Sequence, residues 1–210
     1  MADWVTISAL ATAAGTMALA AATFGSVRSA NRAARAAEQS LMEGLRPLLL
    51  PTRPEDPPQE IGFADERMLR VEGGEGAAEV GDNAVYLGMG VRNVGSGIAV
   101  LHGWWFFPSL RRGADEGHAP LEDLRRLTRD LYIASGDVGF WQGAFRDPDS
   151  AEFAQAKEVI EAGRPFTVDL LYGDHAGGQR TVTRFALIPT NGRLIIAVGR
   201  HWNIDRPDPR

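Results

Sequence analysis

Thr181-Val182-Thr183-Arg184-Phe185-Ala186-Leu187-Ile188, then Pro189-Thr190-Asn191-Gly192-Arg193, then Leu194-Ile195-Ile196-Ala197-Val198-Gly199-Arg200-His201, is the stretch that decides the fold. Two runs rich in β-branched and aromatic residues flank Asn-Gly, the strongest short hairpin signal. A type I′ turn needs positive φ at both central residues, and Asn followed by Gly tolerates it best. With the turn at Asn191-Gly192, Ile188 faces Ile195 and Phe185 faces Val198. The same register sets Thr183 opposite Arg200 and Val182 opposite His201. Residues 166–172 read as a third strand just upstream.

Working outward, residues 84–92 alternate, with Val85, Leu87, Met89 and Val91 on one face and Gly88 and Gly90 on the other. Asn93-Val94-Gly95-Ser96-Gly97 leads into residues 98–107, which reads as a hairpin with a glycine-bearing loop. Trp104, Trp105, Phe106 and Phe107 put aromatics on both faces of that second strand. Such a strand is covered on both sides or contributes to an aromatic membrane belt. Leu121, Leu124 and Leu127 suggest a short helix after Pro120. A second helix is capped by Asp149 or Ser150, buries Phe153, Ala156 and Ile160, and stops at Gly163 and Pro165. Residues 51–60, with four prolines, read as an extended linker, and 72–83 as an acidic, exposed loop. Many short strands and few helices predict a mainly β, immunoglobulin-like antiparallel sandwich over residues 46–210.

The first 45 residues are of another kind. Residues 4–27 contain no charge, and as a helix they extend about 36 Å, enough to cross a hydrocarbon core of about 30 Å. A helix uncharged all round needs burial on every side, so a membrane span is preferred to a soluble helix packed on a small domain. Asp3 is the only charge before the run, and Arg28, Arg32 and Arg35 follow it. A secretory signal begins with positive charge, so this segment reads as an anchor. The positive-inside rule predicts an outside N-terminus and a cytoplasmic domain. Helical character continues to Leu45, ahead of Gly44 and Pro47 as stop signals. That extension is either a basic stalk among anionic head groups or a self-association seam helped by Ala14, Ala18, Ala22 and Ser26 on one face of the span.

The chain has no cysteine among its 210 residues, so disulfides, thiol nucleophiles and cysteine zinc ligands are excluded. Lys157 is the one lysine among 22 basic residues. The net charge is −5, and segment 51–82 alone sets nine carboxylates against three arginines. An acidic domain is repelled by phosphate backbones, so nucleic acid is not an expected partner.

An N-terminal span, a basic helix, the Arg46-Pro47 exit and the strand Val91-Arg92-Asn93-Val94-Gly95-Ser96-Gly97-Ile98-Ala99 together resemble uncharacterised single-span membrane-anchored β-sandwich proteins of GC-rich Gram-positive bacteria. The resemblance implies an immunoglobulin-like sandwich and brings no activity, cofactor or functional residue with it.

Signatures for metalloproteases, α/β-hydrolases, mononucleotides and dinucleotides are missing from the sequence. No catalytic residue, metal ligand or cofactor is expected. Gly95-Ser96-Gly97 lacks the helix that a phosphate loop requires, and reads as a turn. Three stretches mix aromatic and polar residues outside periodic elements: Gly139-Phe140-Trp141-Gln142-Gly143, the loop 173–179, and the tail 200–207. Trp141, Asp174, His175, His201 and Trp202 are the ligand-binding candidates they supply. Adjacent Asp174 and His175 point to opposite faces of an extended chain, so they form no triad by themselves. The leading expectation is a membrane-tethered binding or scaffolding module. The alternatives are a metal-assisted hydrolase using Asp174, His175 and His201, and an extracytoplasmic ligand sensor.

Overall fold

The computed structural model describes residues 3–111 and 116–208. The chain divides into two compact units, Met1–Glu43 and Gly44–Arg210.

The first unit is a single helix, α1 (Trp4–Gly44, 41 residues). It is long and apolar enough to cross a membrane, and none of its apolar window is buried. Trp4, Ile7, Leu10, Met17, Leu19, Phe24 and Val27 all stand exposed. The hydroxyls of Thr12, Thr16 and Thr23 each donate to the carbonyl four residues earlier, at 2.8 Å. The helix therefore satisfies those polar groups internally, as threonines must in surroundings without water.

The second unit is mainly β and antiparallel, as the sequence predicts, with one helix inserted. Its elements are β1 (Leu49–Pro51), β2 (Gln59–Gly62), β3 (Met68–Val71), β4 (Glu75–Val80), β5 (Val85–Asn93), β6 (Ala99–Phe107), β7 (Arg125–Ile133), β8 (Val138–Phe145), α2 (Ala151–Glu161), β9 (Phe166–Asp174), β10 (Arg180–Thr190) and β11 (Arg193–Asn203). One hydrogen-bonded path runs β5-β4-β11-β10-β9-β6-β7, with β1 and β8 both also on β5. The two layers that face each other are thus the two halves of one curled sheet. Its end strands, β7 and β8, are consecutive and joined by the turn 134–137. Inside the curl, Leu87, Met89, Trp104, Trp141, Phe145, Tyr172, Phe185 and Leu187 share one core with Phe153, Ala156 and Val159 of α2. Outside it, the β2–β3 hairpin covers one region with Ile61, Phe63, Leu69 and Val71. Leu121, Leu124 and Ile204 cover Leu171, Val182 and Trp202 in another.

The Asn191-Gly192 turn forms as read, with φ of 52° and 77°. Ile188 pairs with Ile195 and Phe185 with Val198. Beyond that the predicted register slips by one. A bulge between Arg184 and Phe185 sets Thr183 opposite His201 and Val182 opposite Trp202, so each side chain past it changes partner. Ser150 caps α2, its hydroxyl accepting from the Phe153 amide at 3.2 Å. Gly163, at φ 60°, closes the helix with the Arg164 amide donating to the Val159 carbonyl.

Three expectations are corrected. Strands β5 and β6 are not a hairpin: β5 pairs with β1, β4 and β8, and β6 with β7 and β9. The connection instead crosses the curl. Asn93 is buried, and its amide donates to the carbonyls of Gly97 (2.6 Å) and Ile133 (3.0 Å) while accepting from the amides of Leu48 and Gly95. A Cβ at Gly97 would lie 1.7 Å from the Leu45 carbonyl oxygen, so glycine is there for close backbone approach. Leu121–Leu127 is not helical either. Residues 121–123 form a turn, and Arg125 begins β7. Finally, segment 72–83 is not a free loop, because β4 sits inside the sheet between β5 and β11.

Candidate functional site

The five candidate residues do not gather at one place. Trp141 lies wholly inside the core, edge-on to Trp104 with ring centroids 5.2 Å apart. Asp174 ends β9, buried, with one carboxylate oxygen accepting from the Gly178 amide at 3.1 Å and the other without a partner. His175 is exposed in the following turn. His201 pairs across β10 with Thr183, which pairs with Leu170 of β9. Asp174 is four residues further along that strand, so it and His201 lie on the order of 15 Å apart. Trp202 points to the opposite face of β11 from His201 and joins the outer cluster around Val182. Among the described residues no three histidine, aspartate or glutamate side chains group as a metal site would need.

Two polar networks surround these residues. The first runs from core to surface. The buried Tyr172 hydroxyl accepts from the Leu49 amide (3.2 Å) and shares a hydrogen bond with Thr183 Oγ1 (2.9 Å), which in turn meets His201 Nδ1 at 2.7 Å. Burial raises the Tyr172 phenol above its ordinary pKa. Burial first, and then the Arg46 guanidinium, lowers that of His201. The second network is a buried ion pair. Arg184 holds Asp169 through two parallel bonds, Nε to Oδ1 at 2.7 Å and Nη2 to Oδ2 at 2.8 Å. It also donates to the carbonyls of Glu116 and Gly117. The Ala119 amide donates to Asp169 Oδ2, and the rings of Phe107 and Trp202 flank the guanidinium. Every group in this pair has a partner within the chain, so its chemistry is to pin segment 116–119 over the sheet.

Concave surface occurs elsewhere. A groove of about 460 Å³ lies between β3–β4, the end of α2 and the β10–β11 turn. Its arginines are engaged, Arg70 with Glu60 and Glu72, Arg164 with Glu158, and Arg193 with Glu75. The second cavity, of about 110 Å³, opens where the curl fails to close. No ladder joins β7 to β8 among the described residues. Arg125, Arg126 and Leu127 on one side face Gln142, Gly143, Ala144 and Arg146 on the other, with Phe63 and Trp104 completing the slot. The stretch 139–143 stands out in the sequence, but Trp141 points into the core and it is Gln142, its neighbour on the opposite face, that lines the slot. The arginines of β7 carry no signal in a stretch whose leucines match a helical period.

Comparison with known protein families finds no family model that matches the chain, and comparison with curated proteins finds no match either.

Proposed function

We propose that the protein is a membrane-tethered binding module: α1 crosses a bilayer, and the curled β unit is presented in the cytoplasm to a ligand or partner. The observation that carries this reading is the exposure of every large apolar side chain described between Trp4 and Val27. A soluble chain does not leave such a stripe bare, because contiguous apolar surface of this extent marks an interaction with lipid or protein. The internal hydrogen bonds of Thr12, Thr16 and Thr23 support lipid as the cover. The layout's resemblance to membrane-anchored proteins of GC-rich Gram-positive bacteria supports the same reading. The cytoplasmic side is supported by the cluster of Arg28, Arg32 and Arg35 just after the apolar run.

Carbonate washing of membranes tests the tether. Full-length protein should stay in the pellet, and a chain lacking residues 1–45 should leave it. Full-length protein in the supernatant refutes the span. Protease added to intact spheroplasts tests the side: the β unit should remain uncut until lysis. Cutting before lysis would place it outside and replace the cytoplasmic module by an extracytoplasmic sensor.

A further inference from the structure

The chain leaves α1 at Gly44 and runs through residues 45–49 into β1, and polar side chains of β9, β10 and β11 receive it. His201 and Asn203, two residues apart, share one face of β11. The Arg46 guanidinium donates to Asn203 Oδ1, and the Leu49 amide donates to the Tyr172 hydroxyl at 3.2 Å. Thr183 Oγ1 lies between that hydroxyl, at 2.9 Å, and His201 Nδ1, at 2.7 Å. Tyr172 and Thr183 are wholly buried, so bulk water does not replace a bond lost between them.

The direction of the protons along this row follows from its inner end. A backbone N–H can only donate, so the Tyr172 oxygen accepts from Leu49. The phenol proton then has Thr183 Oγ1 as its acceptor, and the threonine proton has His201 Nδ1. His201 is therefore neutral, with its proton on Nε2. A proton added at Nδ1 sets two donors against each other. Thr183 can accept from the imidazolium only by turning its own proton inward, against that of the phenol, and one bond of the row is lost. Charge acts in the same direction. Burial, and then the Arg46 guanidinium, hold His201 below its ordinary pKa. From β10 and β9, the groups set against it are the neutral Thr183 and Tyr172 hydroxyls. Arg200 points to the other face of β11, over the Trp202 ring, and pairs with Asp208 at 3.2 Å. Among the described residues no carboxylate offsets the imidazolium.

We propose that His201 is an acid-released latch on the segment that joins α1 to the β unit. Neutral, it completes the row of bonds that ends on the Leu49 amide. Protonated, it breaks that row beside a guanidinium that opposes its charge. An opened junction frees the imidazole from burial and from Arg46, so it binds a proton more readily than the closed one does. The opening equilibrium accordingly rises by up to about tenfold for each pH unit below about 6.5. Acid thus loosens the junction while the rest of the β unit stays folded. This goes beyond the binding-module reading and does not depend on α1 crossing a bilayer, so its failure would leave the carbonate and protease results untouched.

Amide hydrogen exchange of the full chain in mild detergent, resolved to single residues by fragment-ion mass spectrometry, tests the latch at pH 7.5 and 5.0. Each rate is divided by the intrinsic rate at its pH, so that the ratio reads opening alone. The Leu49 amide should lose at least threefold of its protection at pH 5.0, while amides 167–170 of β9 keep theirs. His201→Asn has no group that titrates there, and should protect Leu49 equally at both pH values. Thr183→Val cuts the row one step nearer Leu49. It should leave that amide less protected than in wild type at pH 7.5, and no less so at pH 5.0. A smaller loss in the wild type, a loss shared equally by residues 167–170, or a loss that persists in either variant overturns the proposal.

Discussion

Replacing Asp169 by Asn keeps the shape of the side chain and removes its charge. The consequences can be worked from the surroundings. Asp169 is fully buried and the Arg184 side chain is 3% exposed, so the cation left behind has no solvent to turn to. It keeps the carbonyls of Glu116 and Gly117 and the two aromatic rings, and loses its counter-charge. Breaking a buried pair by removing one partner costs about 3–5 kcal/mol, most of it from the stranded charge. At roughly 2–4 °C per kcal/mol for a domain of this size, the melting temperature should fall by about 6–20 °C. The complementary double variant, Asp169→Leu with Arg184→Met, removes both charges and should recover most of that loss. Tryptophan fluorescence during urea or thermal unfolding reads the stability of each variant. Limited proteolysis supplies an independent readout, because Asp169 accepts from the Ala119 amide and Arg184 holds the two preceding carbonyls. Segment 116–124 should become the first site cut in Asp169→Asn. A single variant within 1 kcal/mol of wild type, or a double variant no better than the single one, would refute the assignment of this pair as a pin.

Stability should also depend on pH near neutrality. His201 and His102 both have pKa values lowered by burial in the folded state. As pH falls below about 6.5 the unfolded chain takes up protons first. Unfolding free energy should thus decline from pH 7 downward until the folded-state values are reached. Urea midpoints at pH 7.5 and 5.5 measure this, and His201→Asn should flatten the dependence; a wild type equally stable at both would contradict it. At the chain crossing, Asn93→Ala removes four hydrogen bonds and strands buried backbone groups, and should cost about 3 kcal/mol. Gly97→Ala should be worse, because its methyl group meets the Leu45 backbone. Comparable unfolding midpoints for these variants and wild type would show that the crossing is not built as described. Trp141→Phe should cost less than its lost area suggests, since the indole NH has no partner.

What the sequence reveals and what it hides divide along a physical line. The long apolar helix α1, the Asn191-Gly192 hairpin and α2 are legible because each is decided locally, by an uncharged run, a turn that demands positive φ, or a cap. Strands β4 and β8 are not, because their small residues answer to neighbours far away in the chain. A Cβ at Gly76 would sit 2.9 Å from Leu187 Cδ2, and one at Gly143 would sit within 3 Å of the rings of Trp104 and Trp141. Propensity reads those glycines as loop, while the fold uses them as space for large side chains opposite. Strand β7 was lost to a coincidence of spacing, with Leu121, Leu124 and Leu127 matching a helical period although Leu127, Leu131 and Ile133 keep the strand one. That loss carried the candidate slot with it. Arg125 and Arg126 become neighbours of Gln142 only when β7 is a strand set beside β8 and unpaired from it. The slot is therefore a product of incomplete closure: a sheet that curls round a tryptophan-filled core and leaves its last seam open exposes whatever the two edge strands carry there, and here they carry arginines.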